Sequence, residues 1–257
     1  MVRFQAFPRT IAPKLMPGHL SSTTPGPRAL SVIIPAYCEC DNILQTLDNV
    51  TGALQPLTLT YEVLVIDDGS TDGTAALVVI NERNMGFGWS YRRGVEAASL
   101  EHIVMVHGDN AWGRETLGEF FSHVGEADVI IGYTRRMARS RSWRRTAISK
   151  AFTLLVNLIT DRRLQYYNGL QIHRAAVLKS LRIESSGYGF QAEVLVKSLR
   201  LAKTFLEVPM DLIERKKGQS KAFRLKNLID VARTVRLLYG LERTSTPERP
   251  SAPVPGR

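Results

Sequence analysis

Residues 107–110 read His107-Gly108-Asp109-Asn110 and follow directly on the apolar residues Val104-Met105-Val106. One imidazole, one carboxylate and one amide therefore sit together where a buried strand would end. Such a group can hold a metal ion, contact a ligand, or simply cap a loop. The nearest acids that could join Asp109 are Glu101 and Glu115. Two earlier stretches carry similar chemistry. In SVIIPAYCECDNI (31–43), Pro35 stiffens the exit from an apolar run, Tyr37 can lie against a planar base, and Glu39 can accept from a ribose hydroxyl or a base edge. In EVLVIDDGSTDGT (62–74), Asp67 and Asp68 close a second run, Gly69 permits a tight turn, and Ser70 and Thr71 can cap a following helix. One DDGST alone is an ordinary strand-to-helix turn. Two such exits about thirty residues apart point to a ligand.

The elements that must position these groups are legible in the hydropathy pattern. LSVIIPAY (30–37), YEVLVIDDG (61–69), HIVMVHGD (102–109) and ADVIIGY (127–133) are short apolar runs, and the first two lead into helical patterns, one through ILQTLDNVTGAL and one from about Asp72. Continuous apolar strands alternating with helices predict an α/β chain with a mostly parallel central sheet covered on both faces. Ligands of such sheets bind beyond the carboxyl ends of the strands, which is where the three exits lie.

Composition narrows the partners. The 257 residues carry 34 Lys+Arg against 24 Asp+Glu, a formal charge of +10, which suits nucleic acid, an anionic membrane surface or phosphorylated substrates. The basic residues are dispersed and match no nucleic-acid recognition module, so nucleic acid is not expected. Cys38 and Cys40 are the two cysteines; they form no disulfide framework or zinc site and imply a reducing compartment. No run reaches the ~18 apolar residues of a membrane span, so a cytoplasmic protein, soluble or peripheral on the cytoplasmic membrane face, is expected. Residues 1–29 and 244–257 read as disordered tails around a single domain over 30–243. The first tail is Arg-bearing and acid-free, as organellar transit peptides also are. Within 222–241, Leu225, Leu228, Ile229, Ala232, Val235 and Leu238 share one helical face, with Arg224, Lys226, Arg233 and Arg236 mainly elsewhere; this basic amphipathic helix can rest on an anionic leaflet or pack on the domain.

Together with NMGFGWSYRRG (84–94), the two strand exits resemble glycosyltransferase family 2, whose nucleotide-sugar-binding GT-A fold combines a Rossmann-like nucleotide half with an acceptor half. RRTAISKAF (144–152), GYGFQAEVLVK (187–197) and EVPMDLIERKKGQSKAF (207–223) resemble segments of the polyprenyl-phosphate mannose and glucose synthases within it. The resemblance runs from Ser31 to about Phe223. It implies that Pro35, Tyr37, Glu39 and Asp67, with Asp68 beside them, hold the nucleotide. It makes Asp109 a ligand of Mg²⁺ or Mn²⁺, and makes Arg135, Arg145 and Ser149 binders of the acceptor phosphate. Arg215 and Lys221 then reach the donor diphosphate.

The chain also departs from that pattern. The family's D-A-D-x-Q is replaced by His107-Gly108-Asp109-Asn110-Ala111, and its D-x-T-S-G-F by Gln165-Tyr166-Tyr167-Asn168-Gly169-Leu170. Two acids and a glutamine near the metal are gone, which implies weakened or altered metal dependence. The implied reaction is inverting transfer of a hexose from a nucleotide sugar of GDP-mannose or UDP-glucose type to a polyprenyl phosphate. A family 2 enzyme with a hydroxyl acceptor and an impaired nucleotide-sugar-binding protein are the alternatives. A hydroxyl acceptor needs a base, for which Glu193 is the candidate; a phosphate acceptor leaves Glu193 a positioning role, or only an ion pair with a basic neighbour. His107 can equally be a loop donor, the arginines near 139–145 a solvated run, Tyr166 and Tyr167 core residues, and the cysteines inert.

Overall fold

The eight residues of β1 (Ala29–Ala36) are all buried, as a strand covered on both faces must be. Its alternate side chains enter two different cores. Leu30, Val32 and Ile34 pack with α1 (Ile43–Leu54) and α3 (Arg114–Ser122) on one face. Ile33 packs on the other with α2 (Phe87–Ala97), α5 (Ala175–Lys179) and α6 (Phe190–Leu201). β1 is the centre of this half of the sheet, parallel to β2 (Thr60–Asp67) on one side and β4 (His102–Met105) on the other. The structure is a computed structural model that describes residues 28–72, 74, 79–80, 84–134, 143–185, 187, 189–211 and 225–243.

The sheet has seven strands in the order β3-β2-β1-β4-β6-β5-β7. β3 (Val79–Ile80), β5 (Val129–Thr134) and β7 (Phe205–Met210) join by parallel pairing, while β6 (Gln171–Arg174) runs antiparallel between β4 and β5. The mostly parallel, helix-flanked α/β sheet expected from the sequence is therefore present. A third core joins β5 to α4 (Trp143–Thr160), α6 and α7 (Leu225–Arg243) through Val129, Val156, Leu195 and Leu238.

The helix expected from about Asp72 falls largely outside the described residues; Thr74, which is described, has 3₁₀-helical geometry. Residues 73 and 75–78 lie outside the described set, but Val79–Ile80 pair with Ile66 and Asp67 as a strand, and the first described α-helix after β2 begins at Phe87. The Thr74 hydroxyl and the Asp72 carboxylate accept from the N–H groups of Glu39 and Cys40. α7 matches the amphipathic helix placed near 222–241, with its apolar face only partly as expected. Leu238 is buried but Ala232 is exposed, and Thr234 turns into the core. Both expected tails lie outside the described residues.

Close backbone approach decides one glycine. A Cβ on Gly169, just before β6, would run into the carbonyl oxygen of Gly132 on β5, and backbone cannot yield as a flexible side chain can. Gly169→Ala is expected to lower unfolding free energy by about 1–3 kcal/mol, read as a lower urea midpoint at unchanged slope.

Candidate active site

Because β2, β1 and β4 are adjacent and parallel, their three exits open into one crevice. The first two exit loops are stapled together. The consecutive N–H groups of Cys38, Glu39 and Cys40 donate to Ser70 Oγ (2.9 Å), Thr74 Oγ1 (3.2 Å) and Asp72 Oδ2 (3.2 Å). Cys38 takes a left-handed φ of 52° at this turn. Hydrogen bonding from the Thr74 hydroxyl, helped by the Cys40 and Thr74 N–H groups, lowers the Asp72 carboxyl to about 2, so the staple keeps its charge at neutral pH. The same Asp72 raises the Cys40 thiol above its ordinary value, which keeps it protonated and unreactive.

The two acids that end β2 do different work. Asp67 is buried and folds back on its own turn, accepting from the Ser70 N–H (3.1 Å) and the Ser70 hydroxyl. Asp68 reaches across the cleft and accepts from the N–H groups of Met85 and Gly86, both at 2.9 Å. Gly86 sits at φ 91°, which only glycine takes cheaply, and α2 begins directly after it. The segment 84–86 is thus fixed as the far wall.

The third exit is held from below by α1. The Thr46 hydroxyl accepts from the Asn110 N–H (3.1 Å) and lies within donating distance of the Gly108 carbonyl (3.1 Å). Asn49 Nδ2 donates to Asn110 Oδ1 at 2.8 Å. Asn110 is left-handed at φ 53°, a conformation asparagine tolerates better than most residues. The His107 ring stacks on Phe87 at 4.9 Å with 4° between planes, and Phe87 meets Phe190 of α6 edge-on at 5.4 Å.

The result is a cleft of about 250 Å³ whose lining includes Pro35, Tyr37, Glu39, Asp68, His107 and Asp109. Tyr37 is 47% exposed and presents its ring to solvent. Glu39 accepts from Asn42 Nδ2 at 2.8 Å. Asp67 supports this cleft from behind rather than lining it. Thr46, Asn49, Asn84 and Phe87 also build it, yet none was nominated from the sequence. The only signal for the first two was a pair of polar residues three apart on the otherwise apolar, core-facing side of α1.

The remaining nominated residues lie away from the cleft or outside the description. Arg135, Arg215 and Lys221 are outside the described residues. Arg145 and Ser149 are on the first turns of α4; Ser149 is half-buried, and the Arg145 side chain is not among those described. Tyr167 is fully buried in the third core, its hydroxyl donating to Asn157 Oδ1 at 2.8 Å. Glu193 is fully buried in the first turn of α6. Its carboxylate accepts from the N–H groups of Glu184 (2.8 Å) and Ser185 (2.7 Å) and pairs with Lys197 Nζ at 2.7 Å.

Is there a metal site? Among the described residues no three His, Cys, Asp or Glu side chains cluster as ligands. The donor set that does fit is Asp109 alone, on the cleft wall, for an ion that takes one carboxylate and completes its shell with diphosphate oxygens and water.

The profile of glycosyl transferase family 2 matches residues 31–183. The chain belongs to that family. An undecaprenyl-phosphate mannosyltransferase from Micrococcus luteus is 30% identical, over 74% of this chain and 85% of the relative. Among solved structures, glucosyl-3-phosphoglycerate synthase from Mycobacterium tuberculosis, in complex with Mn²⁺, UDP and glucosyl-3-phosphoglycerate, superposes with a TM-score of 0.63 at 20% identity, covering 86% of this chain and 82% of that one. Mannosyl-3-phosphoglycerate synthase from Rubrobacter xylanophilus gives 0.65 at 16% identity, covering 88% and 78%. The fold is GT-A, and the protein is a glycosyltransferase.

Two buried groups of the glycosyltransferase shape its acid stability. Burial alone would raise the Glu193 carboxyl, but the Lys197 ammonium and the two loop N–H groups outweigh it and hold it below the ordinary 4.5. Burial pushes His173 of β6 down to about 3, so it stays neutral in the fold while the unfolded chain takes up its proton near 6.5. Stability falls as pH drops below 6.5 through His173, and falls further below about 4.5 as Glu193 is protonated. Glu193→Gln is expected to cost about 2–4 kcal/mol at pH 7. In urea titrations that gap to the wild type should close once the pH is below the folded Glu193 value.

Proposed function

We propose that this glycosyltransferase moves a hexose from a nucleoside diphosphate sugar, of GDP-mannose or UDP-glucose type, to a polyprenyl phosphate. The state of Glu193 carries the choice of acceptor. A hydroxyl acceptor must lose a proton to a base, and Glu193, the candidate base, is sealed in the core with its oxygens engaged. A phosphate acceptor arrives as an anion and needs no base. Glu193 then acts by pinning the 184–185 loop to α6. The Micrococcus luteus mannosyltransferase, which covers most of both chains, supports the same acceptor class.

In this reading the base lies against Tyr37, and Glu39 accepts from the nucleoside. A phosphate oxygen of the acceptor attacks the anomeric carbon as the bond to the nucleoside diphosphate breaks on the opposite face, so the sugar inverts. The work of the chain is in-line positioning and neutralising the charge that builds on the leaving diphosphate. Arg215 and Lys221 are the cations proposed for that charge, and Arg135, Arg145 and Ser149 the groups proposed for the acceptor phosphate. Asp109 would hold a divalent ion, Mn²⁺ or Mg²⁺, which when bound supplies further positive charge to the diphosphate. The Mn²⁺ in the Mycobacterium tuberculosis neighbour supports a divalent ion here.

The test is transfer of radiolabelled hexose from each nucleotide sugar to a short-chain polyprenyl phosphate, with calorimetry of nucleotide binding in parallel. Asp109→Ala is expected to lower kcat about 100-fold or more at unchanged melting temperature. Glu193→Gln, once folded, should keep kcat within about threefold of the wild type, since a structural carboxylate does not enter the transition state. A folded Glu193→Gln enzyme with no turnover would return the base role to Glu193 and point to a hydroxyl acceptor. Normal turnover by Asp109→Ala would remove the ion from the reading.

A further inference from the structure

α4 presents apolar side chains to solvent along its whole described length. Ala147, Ile148, Ala151, Leu154, Leu155 and Leu158 are exposed, Leu154 at 61% and Leu158 at 72%. At 100° per residue these six fall in one continuous arc of roughly 120°. The adjoining arc, with Phe152, Val156, Ile159 and Thr160, is the face packed into the third core with Leu237, Leu238 and Leu241 of α7. A surface helix of a globular protein puts its polar residues outward. α4 does the reverse with three leucines and an isoleucine, and a contiguous exposed stripe of this kind marks a binding surface.

Charge selects the occupant. The eighteen residues of α4 contain no Asp or Glu. Lys150 lies exposed beside the stripe. On α7, packed against α4, Arg233, Arg236 and Arg243 are exposed, as is Tyr239, over whose ring the Arg243 guanidinium lies at 5.4 Å. The only acids of α7 are Asp230, which pairs with Arg233 at 3.8 Å, and Glu242. An apolar stripe bordered by Lys and Arg, with an aromatic at its margin, is the chemistry of a helix lying in the headgroup region of a bilayer. Among the described residues no helix is long and apolar enough to cross a membrane, so a surface of this kind can attach the chain without spanning.

We propose that the outward face of α4, flanked by the basic residues of α7, docks this protein onto an anionic bilayer surface. The docking follows from the surface itself. Its purpose, bringing the cleft to an acceptor whose phosphate stands at the same surface, rests on the polyprenyl phosphate reading above. Ser149, proposed to meet that phosphate, is on the same helix.

The experiment is cosedimentation of the full chain, free of nucleotide, with vesicles that contain no polyprenyl phosphate. One set is phosphatidylcholine alone and the other also carries phosphatidylglycerol. Binding is expected to the anionic vesicles, weaker on the neutral ones and reduced by salt. Leu154→Glu/Leu158→Glu should lower partitioning about tenfold or more. Leu154→Ser/Leu158→Ser should lower it in the same direction by less, separating lost apolar contact from added repulsion. Both variants should keep the wild-type melting temperature and nucleotide affinity. Absence of vesicle binding, or binding that both variants leave unchanged, would overturn the proposal. So would a wild-type dimer in light scattering that both variants dissociate, because the stripe would then belong to a second copy of the chain. Transfer to a water-soluble short-chain prenyl phosphate is measured separately. Its absence in a protein that binds vesicles would defeat the acceptor reading and leave the docking standing.

Discussion

Three backbone N–H groups in succession, at Cys38, Glu39 and Cys40, all find their acceptors on the loop that follows the neighbouring strand. An exit loop at the end of a parallel strand has no ladder partner for its amides, and pairing three successive ones within the protein rather than with water fixes the backbone of the loop. Ser70, Asp72 and Thr74 accept all three, and Asp67 in turn fixes Ser70. The left-handed turn at Cys38 accompanies this arrangement. Tyr37 and Glu39 are placed because the staple fixes the backbone on either side of Glu39. The cleft is therefore a property of two loops acting together.

Asp68 extends the same logic to the opposite wall. By accepting the amides of Met85 and Gly86 it closes the crevice with a segment that has no strand or helix of its own. Beneath, Thr46 and Asn49 hold the turn that presents Asp109. The cleft is thus hydrogen-bonded on three sides, while the cations proposed for a leaving diphosphate belong to a different stretch of chain. This division suits a transferase. The nucleoside can be held identically before and after reaction, and charge neutralisation can be concentrated where it differs between ground and transition states.

The replacement of the family's first motif acid by His107 changes the electrostatics of this site. An imidazole carries no negative charge, and the His107 ring is stacked on Phe87, which ties the end of β4 to α2 and, through Phe190, to α6. One carboxylate then stands where two are usual. A site with less fixed negative charge repels a diphosphate less before any ion is bound, and it holds that ion less tightly. The exposed apolar face of α4 belongs to the other half of the sheet, beside β5 and β7, so the cleft and this face lie on separate parts of one fold.

Much of this protein was readable in one dimension. Strands β1, β4 and most of β5 announced themselves as apolar runs because they are buried on both faces, β2 did so through the apolar residues leading to its buried end, and α1 showed a 3.6-residue pattern because only one of its faces is buried. The acids and the aromatic at the strand ends were enough to locate the cleft, since in a parallel sheet the carboxyl ends converge by construction. What the sequence could not decide were questions of direction. Asp67 and Asp68 are adjacent and alike, yet one turns back on its own loop and the other spans the cleft. Glu193 lies in a motif and looks available, but tertiary packing buries it against Lys197 and two loop amides. β6, four residues containing a histidine, is a strand because two neighbours offer it a ladder. α4 and α7 both carry apolar residues around much of their circumference. Which arc faces inward was set by the neighbours each helix found, because periodicity records that a face exists and only packing chooses the side it is turned to.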